Sequence, residues 1–67
     1  RRYRTRESEI VGVLAEADER WTDALVGSYP SFDRDGPEVE VVVKSSDPDV
    51  LAEAAGWIEA ALARIVR

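Results

Sequence analysis

The segment Glu38–Lys44 (EVEVVVK) is the sequence feature that most restricts the fold of this chain. Its valines alternate with charged residues, and a strand with this period of two buries one face and exposes the other. The buried face carries Val39, Val41 and Val43, and the exposed face carries Glu38, Glu40 and Lys44. Only Val42 departs from the alternation. We therefore expect a sheet with one valine face, which other elements must cover.

Two longer segments have the apolar period of amphipathic helices. Residues 8–21 follow Glu7, in a stretch whose acidic side chains suit the positive end of a helix dipole. Residues 48–66 follow Asp47, a good N-cap, and begin with Pro48, which suits the first helical position; Arg64 and Arg67 suit the negative end of that helix. The apolar stripes are Ile10, Leu14, Ala17 and Trp21 in the first, and Leu51, Ala54, Ala55, Ile58, Ala61, Leu62 and Ile65 in the second.

Two further strands complete the predicted fold. Residues 2–5 alternate charged and β-prone side chains, which indicates a short edge strand. The run 24–29 reads as a second strand that Pro30 ends, and residues 31–37 (SFDRDGP) read as a loop rich in turn formers. The sequence thus predicts an α+β fold, a two-layer βαββα sandwich whose three-stranded mixed sheet carries both helices on one face. The last two strands are expected to form an antiparallel hairpin.

Composition excludes several kinds of chemistry. The 67 residues suffice for a single small domain, and they include no cysteine or histidine. Ser–His and Cys–His catalysis and a thiolate zinc site are therefore impossible within the chain. We expect no catalytic residues, no metal and no cofactor here. The absence of methionine indicates a fragment of a longer protein, and the absence of an apolar run of about 18 residues predicts a cytoplasmic location and no membrane partner.

The charge distribution is uneven, with a net charge of −5. Four arginines lie in the first six positions, so residues 7–67 carry fourteen acidic side chains against five basic ones. An acidic body repels phosphate backbones, which disfavours nucleic-acid binding. Eight of the nine basic residues are arginine; a halophilic archaeon and a GC-rich genome both explain this bias, and composition does not separate them.

The run Gly27-Ser28-Tyr29-Pro30 is the most distinctive local motif. A Gly-Ser pair at a strand end could let backbone N–H groups approach an anion or a partner chain. Alternatively, Gly27 marks a bulge, Tyr29 fills the edge of the core and Pro30 ends the strand. The four residues alone favour the structural interpretation. The nearby run Asp33–Gly36 resembles part of a calcium loop but lacks the other ligands, so it reads as a hairpin loop.

Three other groups are candidates for binding. Trp21 continues the first helical stripe and is predicted to be core, whereas Trp57 lies at the flank of the second stripe and is the better candidate for docking another domain. The Arg1–Arg6 cluster could bind phosphate, but we expect it to line an edge strand and offset the acidic body. Glu38 and Glu40 have no catalytic partner residues and read as a solvated face.

The order of these features resembles a known family. The Glu7-Ser8 helix start, the run Val26–Phe32, the Glu38–Lys44 strand and the Ser46-Asp47-Pro48 helix start are similar to the KH-like small domain that follows the molybdopterin-binding-type domain of CinA (competence/damage-inducible protein A)-like proteins. A counterpart with a similar Gly-Ser-Tyr-Pro run occurs in eukaryotic FAD synthases. The resemblance spans essentially the whole chain.

The resemblance implies an accessory domain without catalysis of its own. Such a domain packs against the preceding molybdopterin-binding-type domain of the same chain, or across a homo-oligomer of the parent, which resembles a nucleotide pyrophosphatase. Gly27, Ser28, Tyr29, Pro30 and Trp57 are the expected contact residues. The alternative is a KH-like nucleic-acid-binding module that uses the Arg-rich first strand. This alternative is disfavoured because the chain has no GXXG loop.

Overall fold

Five elements follow one another in the order strand, helix, strand, strand, helix in the computed structural model, which describes residues 1–66. They are β1 (Arg2–Tyr3), α1 (Glu7–Arg20), β2 (Ala24–Asp33), β3 (Gly36–Ser45) and α2 (Pro48–Ala63). The prediction of an α+β fold of βαββα order with a three-stranded sheet is confirmed. Within residues 1–66, no helix has both the length and the apolar character needed to cross a membrane.

The sheet has the strand order β1-β3-β2, and both hydrogen-bonded pairs are antiparallel. The predicted hairpin of β2 and β3 is therefore confirmed, whereas the predicted mixed sheet is wrong, because neither hydrogen-bonded pair is parallel. β1 and β2 do run in the same direction, since each is antiparallel to β3. They do not pair with each other, because β3 lies between them.

β2 is longer than the sequence predicts. It continues through Pro30 to Asp33, and the β3 partner of Pro30 is Val39. The neighbouring residue of that face, Val41, exchanges both backbone hydrogen bonds with Arg1 (2.8 and 2.9 Å), so Val41 turns its backbone groups away from β2. Alternation along β3 gives Val39 the same orientation, and the nitrogen of Pro30 accordingly faces the free edge of β2. A proline there removes no ladder hydrogen bond, which is why it does not end the strand.

A tight turn replaces the predicted loop over residues 31–37. The strands close at the pair Asp33↔Gly36, with Arg34 and Asp35 between them. Gly36 has φ 108°, a backbone conformation that residues other than glycine rarely adopt. The Asp33 carboxylate accepts a 2.8 Å hydrogen bond from the Asp35 N–H and holds the turn.

The core lies between the two helices and one face of the sheet. Its buried residues come from α1, β3 and α2, as the predicted stripes require: Ile10, Leu14, Ala17, Val39, Val41, Ile58 and Leu62. Trp21 and Trp57 are partly buried and pack against this cluster. The other face of the sheet, which we call the open face, has no helix packed on it within residues 1–66.

The two helices differ in how the free backbone N–H groups at their starts are hydrogen-bonded. Asp47 caps α2 as predicted, because its side chain accepts hydrogen bonds from the N–H groups of Asp49 (2.9 Å) and Val50 (3.3 Å). α1 has no side-chain cap at its N-cap position. α2 ends at Ala63, three residues before the predicted end. Arg67, which was expected to suit that end, lies outside the described residues.

Candidate functional site

The run Gly27-Ser28-Tyr29-Pro30 lies inside β2, and its side chains alternate between the two faces of the sheet. Ser28 and Pro30 pair with the buried residues Val41 and Val39, so they lie on the helix-covered face. Gly27 and Tyr29 therefore belong to the open face. One interpretation of the sequence placed a bulge at Gly27. The register from Ala24 to Asp33 is continuous, so that interpretation is wrong.

On the open face, the Tyr29 ring lies beside Gly27. A Cβ added to Gly27 would lie 3.6 Å from Cε2 and 3.7 Å from the hydroxyl oxygen of Tyr29, which is ordinary van der Waals contact. Tyr29 is 59% exposed and Leu25, two residues before Gly27 on the same face, is 73% exposed. With Val26, Val42 and Lys44 these residues line a shallow cleft of about 210 Å³. We call Leu25, Gly27, Tyr29 and Val42 the Tyr29 patch.

Ser28 has a different role from its neighbours. Its hydroxyl donates a 2.6 Å hydrogen bond to the Glu7 carboxylate in the first turn of α1. Nearby, the Thr5 hydroxyl donates a 2.7 Å hydrogen bond to Glu9, and Thr5 is buried. These two bonds attach the start of α1 to the sheet and to the preceding loop. Sequence reasoning missed them, although the acidic residues at the helix start were the available signal.

The helix-covered face continues past α1 toward the tip of the hairpin. There Phe32 is 80% exposed, and with Pro30 and Pro37 it forms one wall of a cleft of about 370 Å³. Residues 5–7, at the start of α1, form the opposite wall. Pro30 therefore lies at a second apolar surface, separate from the Tyr29 patch because it is on the opposite face of the sheet.

Two of the N-terminal arginines, Arg2 and Arg4, make ion pairs on the open face, whereas Arg1 pairs with Glu59 of α2. The Arg4 guanidinium nitrogens lie 2.8 Å from a carboxylate oxygen of Glu38 and 3.1 Å from one of Asp33. Nε of Arg2 lies 3.7 Å from a carboxylate oxygen of Glu38 and 3.9 Å from one of Glu40. The predicted offset of acidic charge by the arginines is thus visible as contacts with neighbouring carboxylates. Because their charge is already matched, Arg2 and Arg4 are poorly suited to a phosphate site.

Asp33 illustrates the electrostatics of this cluster. The pKa of the Asp33 carboxyl is lowered chiefly by the hydrogen bond from the Asp35 N–H, and further by the Arg4 guanidinium. Desolvation raises this pKa, but by less than the Asp35 hydrogen bond lowers it. Asp33 thus serves the turn and the ion pairs. Within residues 1–66 no group of three or more side chains is arranged to hold a metal ion.

Trp57 lies in the other layer of the domain. The ring centroid of Trp57 is 5.6 Å from that of Trp21. The guanidinium carbon of Arg20 lies over the Trp57 ring, 5.1 Å from its centroid. Trp57 is partly exposed, as predicted, but it belongs to α2 and packs against the core. The structure therefore does not bring Trp57 together with Gly27 and Tyr29, which face the opposite side of the sheet.

Comparison with known protein families identifies the family of this chain. Residues 2–67 match the FAD synthase, middle domain family. The chain belongs to that family. No curated protein and no solved structure matches the chain.

Membership of the FAD synthase middle-domain family corrects the resemblance drawn from the sequence. The assignment to the small domain of CinA-like proteins is wrong, and with it the interpretation as a CinA accessory domain and the molybdopterin-binding label. The alternative, a KH-like nucleic-acid-binding module, gains no support from the family either. The Gly-Ser-Tyr-Pro run was the main basis of the resemblance, and a similar run had been noted in FAD synthases as well, so it could not separate the two families.

Proposed function

We propose that this FAD synthase middle domain is a non-catalytic docking domain, which binds a neighbouring domain of the same polypeptide through the Tyr29 patch. The domain itself holds no cofactor in this proposal, and the chain has no histidine or cysteine for acid–base or nucleophilic chemistry. A cytoplasmic location is part of the proposal, because a cysteine-free domain does not depend on an oxidising compartment.

The exposure of the Tyr29 patch is the observation that supports this function best. Leu25 and Tyr29 are large side chains, 73% and 59% exposed, that lie four residues apart on one face of a regular strand. Gly27 between them has no side chain, which leaves a depression bordered by the Tyr29 ring. An aromatic anchor beside a depression is the arrangement found at the centres of protein interfaces.

The surroundings of the patch suit an interface as well. The remainder of the open face carries paired charges, with Arg2 and Arg4 against Glu38 and Glu40. Lys44 borders the patch at its other end. An apolar centre with a polar rim is the usual anatomy of a protein–protein contact. The family supplies the occupant, because a middle domain of a FAD synthase has neighbouring domains in its own chain.

An NMR titration tests the proposal. The ¹⁵N-labelled domain is titrated with the other domains of a FAD synthase of this family, supplied as a separate chain. We expect shift changes concentrated at Leu25, Gly27, Tyr29 and Val42. Changes concentrated at Trp57 and α1 instead would contradict the proposal, since those residues lie in the helix layer.

Matched variants sharpen this test. Tyr29→Thr and Leu25→Thr replace an exposed apolar side chain with one that also favours strands, so the fold should persist. Each should weaken binding about tenfold or more, as expected for an interface anchor. Ile65→Thr is the control, because Ile65 is a 42% exposed apolar residue on the helix side. It should leave the affinity unchanged.

A further inference from the structure

The outer edge of β2 has no partner strand within residues 1–66. β2 is the last strand in the order β1-β3-β2, so one of its two edges lacks a partner strand, although at its start the Ala24 N–H already donates a 3.0 Å hydrogen bond to the Trp21 carbonyl. Ser28 pairs with Val41, which turns its backbone groups toward Arg1, so the groups of Ser28 point to the free edge. By alternation, Val26 and Phe32 also present an N–H and a carbonyl there. Pro30 presents a carbonyl alone.

The composition of this edge is unusual for the chain. Residues 24–32 (ALVGSYPSF) contain no charged side chain, although 9 basic and 14 acidic residues are spread over the 67. Free strand edges are normally protected against pairing by charged side chains, above all lysine, by proline, or by a covering element. Within residues 24–32, Pro30 is the only one of these protections that the strand itself carries. The backbone groups of Val26, Ser28 and Phe32 are available to an added strand.

The charges around the edge are acidic. Glu7 bonds to Ser28 from the first turn of α1, which places this side of the helix over β2. Asp23 immediately precedes the strand, and Asp18 lies on the same side of α1 as Glu7, three turns further on. None of these three carboxylates forms an ion pair within residues 1–66.

An apolar side chain lies among these carboxylates. Val11 is one turn after Glu7 on the same side of α1 and is 56% exposed. A strand added next to β2 would place its inward side chains near Val11. Backbone groups, an apolar contact and unpaired negative charge thus occur together at one edge.

We propose that this edge binds an extended peptide segment, apolar in its centre and flanked by Lys or Arg, which adds a fourth strand to the sheet. Backbone hydrogen bonds to Val26, Ser28 and Phe32 would provide affinity, as in other cases of β-strand addition. Basic flanks would meet Asp18 and Asp23. This surface is separate from the Tyr29 patch, and the inference does not depend on the docking function proposed above.

A second copy of the chain fits the edge less well. Self-pairing of the uncharged segment about its midpoint, Ser28, would place Asp33 of one copy opposite Asp23 of the other at both ends. Each copy also carries a net charge of −5, so the two would repel each other. In that register Pro30 could not donate to the opposing Val26 carbonyl. A basic peptide has neither the facing carboxylates nor the like net charge, and only the missing N–H of Pro30 is common to both occupants.

Hydrogen exchange of the labelled domain tests the proposal, with the peptide Lys-Lys-Val-Thr-Val-Thr-Val-Lys-Lys as the probe. We expect the peptide to slow exchange of the outward amides of Val26, Ser28 and Phe32. The amides of Gly27 and Tyr29, which face β3, should change much less. A peptide with the same centre and glutamate flanks should bind about tenfold more weakly at low salt.

Variants separate the edge from other surfaces. Ser28→Pro removes one outward N–H and should abolish binding, whereas Ser28→Ala keeps that N–H and should bind normally. Should Ser28→Pro fail to fold, the double variant Asp18→Asn with Asp23→Asn replaces it, and it should reduce the preference for the basic peptide severalfold. Tyr29→Thr should leave peptide binding unchanged, which keeps this test independent of the docking proposal.

Three results would overturn the inference. The first is no protection of the outward amides by the basic peptide at low salt. The second is equal binding of the basic and acidic peptides. The third is protection of the same amides that rises with the concentration of the domain alone, together with dimers in sedimentation, which would identify a second copy as the occupant.

Discussion

The Ser28 hydroxyl donates a 2.6 Å hydrogen bond to the Glu7 carboxylate, and this bond connects the middle of β2 with the first turn of α1. It gives Ser28 a structural role within a run that otherwise looks like a binding motif. The Ser28 hydroxyl is only partly buried, so water competes for this bond. Its net contribution to the stability of the fold should therefore be moderate, although the acceptor is a carboxylate.

Ser28→Ala should therefore lower the free energy of unfolding by about 1 kcal/mol, the usual net contribution of an intramolecular hydrogen bond, because partial exposure offsets the extra strength of a charged acceptor. Urea unfolding followed by tryptophan fluorescence measures the change. Ser31→Ala is the matched control, because Ser31 is an exposed serine of the same strand. It should change stability by less than about 0.5 kcal/mol. Equal effects of the two variants would show that the bond to Glu7 contributes nothing.

Two glycines should respond to alanine in opposite directions. Gly36 has φ 108°, so Gly36→Ala should strain the turn and lower the free energy of unfolding by about 1–2 kcal/mol. Gly12 lies in the interior of α1, where an added Cβ would have nothing within 4 Å beyond its neighbours in the chain and the nearby backbone of the helix, so Gly12→Ala should raise stability by about 0.5–1 kcal/mol. Thermal unfolding by circular dichroism compares them. A gain in stability from Gly36→Ala would contradict the turn geometry.

Gly27→Ala tests the structural interpretation of the glycine in β2. The added Cβ would contact the Tyr29 ring at 3.6 Å or more, without a clash, so stability should change by less than about 0.5 kcal/mol. The methyl group would fill the depression of the Tyr29 patch and should weaken docking. A large loss of stability would mean that β2 needs glycine for its own conformation. Unchanged docking would count against the patch as the interface.

Asp33 should make stability depend on pH at the acidic end. Its pKa in the folded state lies below the ordinary value, first because of the Asp35 N–H and then because of Arg4. The charged form is thus favoured by folding, and its stabilisation is complete above the unfolded-state pKa of about 3.9. It is lost as the pH falls through the lower folded-state value.

Unfolding measurements between pH 7 and pH 2 test this dependence. Asp33→Asn should be less stable than the natural chain above about pH 5, and the difference should shrink as the pH falls below about 4. Arg4→Gln should retain part of the dependence, because Arg4 is a secondary cause of the shift. A constant difference between the natural chain and Asp33→Asn across this range would refute the assignment.

The sequence predicted those parts of the fold that depend on local periodicity. The valine alternation placed Val39 and Val41 in the core, and the helical stripe placed Ile10 and Ile58 there as well. The extension of β2 through Pro30 was not predictable in this way. Whether a proline interrupts a ladder depends on which edge its nitrogen faces, and this orientation follows from the position of β3 between β1 and β2.

The candidate site shows the same division between local and distant information. Sequence reasoning selected Gly27–Pro30 and Trp57 as contact residues, since each has a side chain or a backbone suited to binding. The face on which a residue lies relative to another element depends on tertiary packing, and here it separates Tyr29 from Trp57. The pairs Ser28–Glu7 and Arg4–Glu38 link residues distant in the chain and left no periodic signal.

Trp57 should stabilise the domain and take no part in docking. Its ring contacts Trp21 and Arg20 and packs against the core, so Trp57→Ala should lower the free energy of unfolding by about 2–4 kcal/mol. Trp57→Phe keeps an aromatic ring at this position and should retain more than half of that stability. Denaturation followed by circular dichroism measures both variants without relying on tryptophan emission. If Trp57→Phe instead kept full stability but lost the neighbouring domain, the original expectation of a docking tryptophan would be restored and the Tyr29 patch would not be the sole interface.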